Sequence, residues 1–239
     1  MSSRTRRFPT NCEAPGPIAC RSCDLNEVCR LSGLIALERG RVRQPSGALR
    51  TVAPGAPLFR AGTPAHSLYA VRQGLLKTVR VSLEGDEHVL AVHTPGEVLG
   101  LEAFGRGVYA CDAIALQSVV CCELPLPQIA EQGARVRELG AAIVRLLSQA
   151  AEPRLHLERG SARQRVTAFL LDLAQRLERR GLDGRQFALG LSRQEIADLL
   201  DTRIETVSRT MQQMNRERAI RVRGGSVSLL SLADAVSAG

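Results

Sequence analysis

SRQEIADLLDTRIETVSRTMQQM, residues 192–214, carries two helix-start signals. Ser192 is followed three residues on by Glu195, and Thr202 by Glu205. Each is a capping box, in which the hydroxyl and the carboxylate satisfy backbone N–H groups that the first turn leaves unpaired. Two capped helices joined by a turn of about four residues read as a helix-turn-helix. In the second helix Ile204, Val207, Met211 and Met214 share one face and belong to a core. Glu205, Ser208, Arg209 and Gln212 fall on the other face, toward solvent. Just downstream, AIRVRGGSVSLL (219–230) reads as a β-hairpin turned at Gly224-Gly225, a wing beside the two helices. A helical hairpin with a solvated charged face has the same periodicity. The wing, the paired capping signals and the basic surroundings favour double-stranded DNA.

The charge is uneven. The chain carries +8 overall, with +5 in residues 1–50, −2 in 51–153 and +5 in 154–239. A basic C-terminal third suits a polyanion partner. Arg outnumbers Lys 31 to 1, so part of the excess reflects composition bias.

Upstream of the motif, Val166, Phe169, Leu170, Leu173 and Leu177 line one face of a helix that Gly181 and Gly184 end. Before it, Leu139, Ile143, Leu146 and Ala150 recur at the spacing of a coiled-coil seam, which would continue to Leu157. Pro153 interrupts that run, and a kink or break is expected there. Residues 51–127 differ: short apolar runs such as SLYAVRQ, HVLAVHT and CDAIALQSVVCCELPL are cut by APGAP, RAGTP, EGDE and TPGE. That punctuation predicts an antiparallel sandwich or barrel. The expected organisation is a cysteine-bearing arm over 1–50, a strand-rich domain over 51–127, a dimerisation helix over 128–160 and a winged helix-turn-helix over 161–239.

The arm contains CRSCDLNEVCR, residues 20–30, with Cys20, Cys23 and Cys29. An odd total of seven Cys does not look like a disulfide framework; thiols in a reducing compartment point to metal or redox chemistry. Cys12 could be a spare ligand or free. Cys111 and Cys121 lie in apolar strand context, as small hydrophobes. Alternation sends Cys121 and Cys122 to opposite faces, so both cannot be ligands of one centre. Arg21 and Arg30 flank the loop and could lower thiol pKa.

A strand-rich domain, a seam helix and a winged helix-turn-helix, in that order, resemble the CRP/FNR family of bacterial transcription regulators. LYAVRQGLLK (68–77), HTPGEVLG (93–100), CELP (122–125) and LSRQEIADLL…RIETVSR look like family signatures. Cys-x2-Cys-x5-Cys near the start, with a later Cys before Glu-Leu-Pro, resembles the oxygen-sensing FNR branch. The resemblance implies an α+β fold with an antiparallel β-roll, a [4Fe–4S] cluster held by Cys20, Cys23, Cys29 and Cys122, and a homodimer on a palindromic TTGAT-like site. It implies base reading by Glu205, Ser208 and Arg209; Arg193, Arg203 and Arg216 are expected on phosphates. RNA polymerase is a further implied partner. Between RLLS (145–148) and ARQR (162–165) the helix is about four residues shorter than in FNR, a shift of roughly 6 Å. Structural zinc satisfies four thiolates equally well, so a zinc- or redox-responsive regulator, or a zinc-binding module that does not bind DNA, is the competing reading.

Some relatives bind cyclic nucleotide in the strand-rich domain. Glu97 matches their ribose-binding acid, but no Lys or Arg occurs from 107 to 134, and Asp112 stands as an unpaired acid where the phosphate cation would be. Glu97 reads instead as a turn residue, and no cyclic nucleotide is expected. His66, His88, His93 and His156 share no ligand spacing. No hydrolase elbow, P-loop or paired catalytic acid is present, so no enzymatic activity is expected. The chain has no apolar run approaching a membrane span and no h-region after its basic start, which predicts a cytoplasmic protein without a membrane partner.

Overall fold

The computed structural model of the chain describes residues 18, 20–31, 37–38, 41–42, 49–82, 84–127, 136–151 and 160–231. A single 3-10 turn over Cys20–Ser22 leads into helix α1 (Asn26–Leu31), and a two-stranded ribbon follows, β1 (Leu37–Glu38) with β2 (Arg41–Val42). The roll comes next, as two antiparallel four-stranded sheets. One runs β3 (Leu49–Val52), β10 (Val119–Pro125), β5 (Ser67–Gln73), β8 (Val98–Leu99). The other runs β4 (Pro57–Phe59), β9 (Asp112–Ala115), β6 (Leu76–Val81), β7 (Glu87–His93). A short helix, α2 (Ala103–Arg106), sits between β8 and β9.

Alternation along β10 decides what each face of its sheet covers. Cys121 and Val119 point into the roll with Phe59, Tyr69, Val71, Leu76 and Tyr109. The Phe59 ring stacks on Tyr109 with centroids 4.0 Å apart, so aromatic rings fill the space between the sheets. Cys122 and Leu124 point outward, into a second apolar cluster with Leu25, Val28 and Cys29 of the arm. Helix α3 (Val136–Ala151) closes that cluster with Ala142 and Leu146, one turn apart on the same face.

The C-terminal module has helix α4 (Ala162–Glu178), then β11 (Gln186–Ala188), α5 (Arg193–Leu199), α6 (Ile204–Arg216), β12 (Ile220–Arg223) and β13 (Ser226–Leu229). Ser161 caps α4 by a capping box with Gln164. The expected stripe of Val166, Phe169, Leu170, Leu173 and Leu177 is buried throughout. Ser192 and Glu195 form the capping box read from sequence: Ser192 Oγ accepts from the Glu195 amide at 3.2 Å, and Glu195 accepts from the Ser192 amide at 2.6 Å. The second box does not form. Arg203 is the N-cap of α6 and makes no side-chain cap. Thr202 is spent in the turn, its amide donating to the Ala197 carbonyl at 2.8 Å while Asp201 takes φ 47°. The wing turns at Gly224 and Gly225, both at positive φ, as β12 and β13 require for a two-residue connection. The third strand, β11, pairs with β13 and was not apparent from the sequence.

Candidate metal centre and nucleic-acid interface

The 3-10 turn, the bend after it, α1 and β10 bring Cys20, Cys23, Cys29 and Cys122 into one packed cluster. Cys29 and Cys122 are buried; Cys20 and Cys23 are half-buried. Local bonds shape the loop: the Cys23 amide donates to the Cys20 carbonyl at 3.2 Å, and Asn26 Nδ2 to the same carbonyl at 3.0 Å. Among the described residues, no three His, Cys, Asp or Glu side chains are gathered as ligands of one metal ion would be. Cys12 lies outside the described residues.

The four thiols feel one another. Burial pushes the Cys23 thiol up to about 12, and the charges that Cys122, Asp24 and Cys20 would carry add to the rise. Cys29 is raised by burial and then by Cys23, Cys122 and Cys20. Burial also raises Cys122, against the pull of Arg72. For Cys23, Cys29 and Cys122 the expectation of a lowered thiol pKa is reversed, because burial is the largest influence on each. Arg30 is exposed and the Arg21 side chain is outside the described residues. Burial makes Cys23, Cys29 and Cys122 resist ionisation, and thiols of this kind hold thiolates together only beside concentrated positive charge. That donor set fits a [4Fe–4S] cluster.

Cys121, one residue from Cys122, faces the opposite core and is raised to about 12, first by burial. Cys111 is half-buried against the roll's core and raised to about 11, again first by burial.

The second helix of the helix-turn-helix buries Val207, Met211 and Met214 and exposes Glu205, Arg209, Gln212 and Arg216, with Ser208 half-buried. Ile204, expected in the core, is 36% exposed. Arg203 is exposed at the N-cap of α6, and Arg193, half-buried, opens α5. Arg218, Arg221 and Arg223 add exposed guanidinium groups beside and along the wing. Of the expected seam, Leu146 is buried and Ile143 half-buried, both against the arm and roll of their own chain. Val144 and Leu147, one position on, are 61% and 41% exposed. The side chains of Leu139 and Ala150, and the whole of Pro153 and Leu157, lie outside the described residues.

Two family descriptions match the chain: a cyclic nucleotide-binding domain over residues 49–135 and a Crp-like helix-turn-helix domain over 164–234. The chain is similar to the transcriptional activator protein anr of Pseudomonas aeruginosa, at 31% identity over 88% of each chain. It is 29% identical to the fumarate and nitrate reduction regulatory protein of Vibrio cholerae, over 91% of this chain and 88% of that one. The chain belongs to the CRP/FNR family. Among solved structures, a CRP-family transcriptional regulator from Thermus thermophilus matches 79% of this chain and 95% of its own, at 26% identity and TM-score 0.62. FixK2 from Bradyrhizobium japonicum shares the fold, with TM-score 0.64 at 24% identity, over 79% of this chain and 96% of its own. The protein is thus a DNA-binding transcription regulator of the CRP/FNR type.

Within the CRP/FNR roll, the two acids weighed for a nucleotide site have other engagements. Glu97 does sit in a turn, accepting from Thr94 Oγ1 at 2.8 Å. It also meets Arg176 of α4 through both oxygens, at 2.7 and 2.9 Å. Arg176 is 7% exposed and further donates to Asp172 at 3.0 Å and to the Val92 carbonyl at 2.5 Å. Asp112 is not unpaired: it accepts from Arg60 and from the Ala61 amide, each at 2.7 Å. Two of the histidines are bonded, His93 to Thr78 and Glu97 and His88 to Asp198 across the chain; His156 lies outside the described residues.

Arg176 was missed by sequence reasoning, although a signal existed. It falls on the apolar stripe of its helix, between Leu173 and Leu177, and a guanidinium at such a position needs a buried acid. The chain's single lysine was also passed over. Lys77 is buried on β6, and its ammonium meets Glu195 of α5 at 2.5 Å. Asp198 of α5 accepts from the Val89 amide on β7. The first helix of the helix-turn-helix therefore rests on the roll.

Proposed function

We propose that this CRP/FNR regulator is oxygen-responsive, with Cys20, Cys23, Cys29 and Cys122 as the sensing thiols. The observation that carries this is their convergence, from the arm and from β10, in one largely buried cluster. Bound there, a [4Fe–4S] cluster would supply an oxygen-labile link between the arm and the sheet. The arm's own residues pass the state of that link onward. Leu25 and Val28 pack in the cluster that also takes Ala142 and Leu146 of α3, so order in the loop and the seating of α3 are coupled. The centre biases the regulator only as far as it binds the DNA-competent state better than the other. Iron and acid-labile sulfide should be measured on protein purified without oxygen. About four of each per chain, with a straw-brown colour that bleaches in air, is the expected result. A colourless protein with zinc instead would sink the oxygen reading.

CRP/FNR regulators bind DNA and typically act as dimers, and we assign the exposed face of α3 to that contact. Gly140, Val144 and Leu147 follow one another at four and three residues and are all exposed. We place a second copy on this stripe, with Ile143 at its edge. Leu147→Glu should then dissociate the dimer in anaerobic sedimentation, because two unpaired charges would be buried per symmetric dimer, at a cost of several kcal/mol. The folded stability of the chain itself should change little. Leu146→Glu should do the reverse, disordering the arm's packing in each chain. A dimer unmoved by Leu147→Glu would put the interface elsewhere.

Glu205, Ser208 and Arg209 are assigned to base reading in a palindromic, TTGAT-like site, and Arg193, Arg203 and Arg216 to phosphates; RNA polymerase is the further partner that the resemblance implies. Arg209 can bind guanine O6 and N7, and Glu205 can accept from cytosine N4. Arg209→Ala should cost about 1–3 kcal/mol on the cognate palindrome and relax preference at the guanine. Arg216→Ala should weaken every sequence alike and reduce the salt slope by about one. Titrations on the palindrome and on guanine-substituted duplexes at several salt concentrations separate the two. Equal loss on all sequences for Arg209→Ala would make it a phosphate contact.

A further inference from the structure

Three segments far apart in the chain meet at the Thr94–Glu97 turn. The cysteine loop arrives from one side, where the Asp24 amide donates to the Gly96 carbonyl at 3.0 Å. The C-terminal end of α4 arrives from the other, where Arg176 grips Glu97. Arg180, one helical turn beyond Arg176 and just past the end of α4, joins the two directly. Its Nη1 donates to the Ser22 carbonyl at 2.6 Å and its Nη2 to the Asp24 carboxylate at 2.5 Å. Ser22 and Asp24 are the two neighbours of Cys23. Gly96 leaves the room for this: a Cβ there would stand 2.5 Å from Arg180 Nε, and its φ of +99° also suits glycine.

We propose that Arg180 is a positioning residue, a strap that ties order in the Cys20–Cys29 loop to the placement of the DNA-reading module, in parallel with α3. The packing makes such a strap effective. α4 shares one apolar core with α5 and α6 through Phe169, Leu173, Ile196, Val207 and Met211. A shift of its C-terminal end is thus a shift of the helices that meet DNA. With the module docked this way, Glu205, Arg209, Gln212 and Arg216 stay exposed. The strapped state is accordingly the one that presents the reading face, and a disordered loop would release it. Coupling of this kind is reciprocal: what loosens the loop loosens the module, and the converse.

The strap rests on the proposed function for the signal that enters the loop, so its test has one arm that does not depend on an oxygen response. Hydrogen exchange should be followed in the full-length chain as purified without oxygen, for wild type, Asp24→Asn, Arg180→Ala, the double variant and Arg179→Ala as an exposed neighbour. Asp24→Asn is expected to raise exchange at least threefold in residues 193–199. Arg180→Ala should do the same in residues 20–31, the double variant should add nothing to either, and Arg179→Ala should change neither. Effects confined to the mutated segment, or additive in the double variant, would overturn the strap.

The second arm compares DNA affinity of anaerobic and air-exposed protein, with dimer content followed by sedimentation. Each strap variant should shrink the ratio between the two forms by threefold or more at unchanged dimer content. A ratio equal to wild type would also overturn the strap. If the wild type itself shows no difference between the two forms, the oxygen reading has failed, and the exchange arm still decides the strap.

Discussion

Cys122→Ser protein, reconstituted without oxygen, is expected to lose all acid-labile sulfide and its colour, whereas Cys121→Ser keeps both. The two residues are adjacent, equally free of disulfides and both buried, so composition and burial do not distinguish them. The pleat does. Cys122 faces the cluster that holds Cys20, Cys23 and Cys29; Cys121 faces the aromatic interior of the roll. A serine hydroxyl does not replace a thiolate on iron, and three remaining thiols leave the arm tied to itself but not to the sheet. The loss should therefore extend to DNA affinity under anaerobic conditions, at the level of the Cys29→Ser variant. Retention of sulfide by Cys122→Ser, or its loss from Cys121→Ser, would move the fourth ligand away from β10.

The second large effect is on stability. Arg176→Leu removes the guanidinium that Glu97, Asp172 and the Val92 carbonyl share. A buried acid left without its partner costs about 3–5 kcal/mol, and the loss should be read as a lower denaturation midpoint. Burial by itself raises the Glu97 pKa, but the charge of Arg176 and bonds from His93 and Arg176 hold the carboxyl well below the usual carboxylate range. A depressed folded-state pKa stabilises the fold above the unfolded value of about 4.3 and loses that contribution as pH falls toward the folded value. The advantage of wild type over Glu97→Gln should accordingly shrink below about pH 4. In Arg176→Leu burial still pushes the Glu97 pKa up, and the His93 and Thr94 contacts are left to oppose it without the guanidinium. The carboxyl is then easier to protonate, and the penalty of this variant should also diminish in acid. An Arg176→Leu penalty independent of pH between 4 and 7 would mean that Glu97 is not its source. Arg176→Lys should recover only part of the loss, because an ammonium cannot repeat the two-oxygen grip.

The elements with strong local signals were readable from the chain. Ser192 with Glu195, the stripe from Val166 to Leu177 and the Gly224-Gly225 hairpin depend on residues within a few positions of each other, and each appears as expected. The strand alternation that separates Cys121 from Cys122 belongs with them. Misreadings arose where a distant partner decides. Thr202 has the right neighbour for a cap, but the turn takes its amide for the end of the preceding helix. The thiol pKa values follow from burial by β10 and α3, not from flanking arginines. The face of α3 is apolar on two sides, and only the arm's position shows which side the chain covers itself. Arg176, Arg180 and Lys77 each find an acid more than 75 residues away, which periodicity does not reveal.

The apolar core of the C-terminal module contains three residues of the roll, Leu75, Val92 and Leu116, each almost fully buried. Leu116 also lies against Gly190, where a methyl group would meet its Cβ at 2.9 Å. Two bodies that share side chains in this way are a single cooperative unit. On heating, the roll and the module should lose structure in one calorimetric transition whose van't Hoff and calorimetric enthalpies agree, where two independent domains would give two steps. A fragment cut at residue 161 would carry the helix-turn-helix into water with an apolar patch uncovered, and would be prone to self-associate.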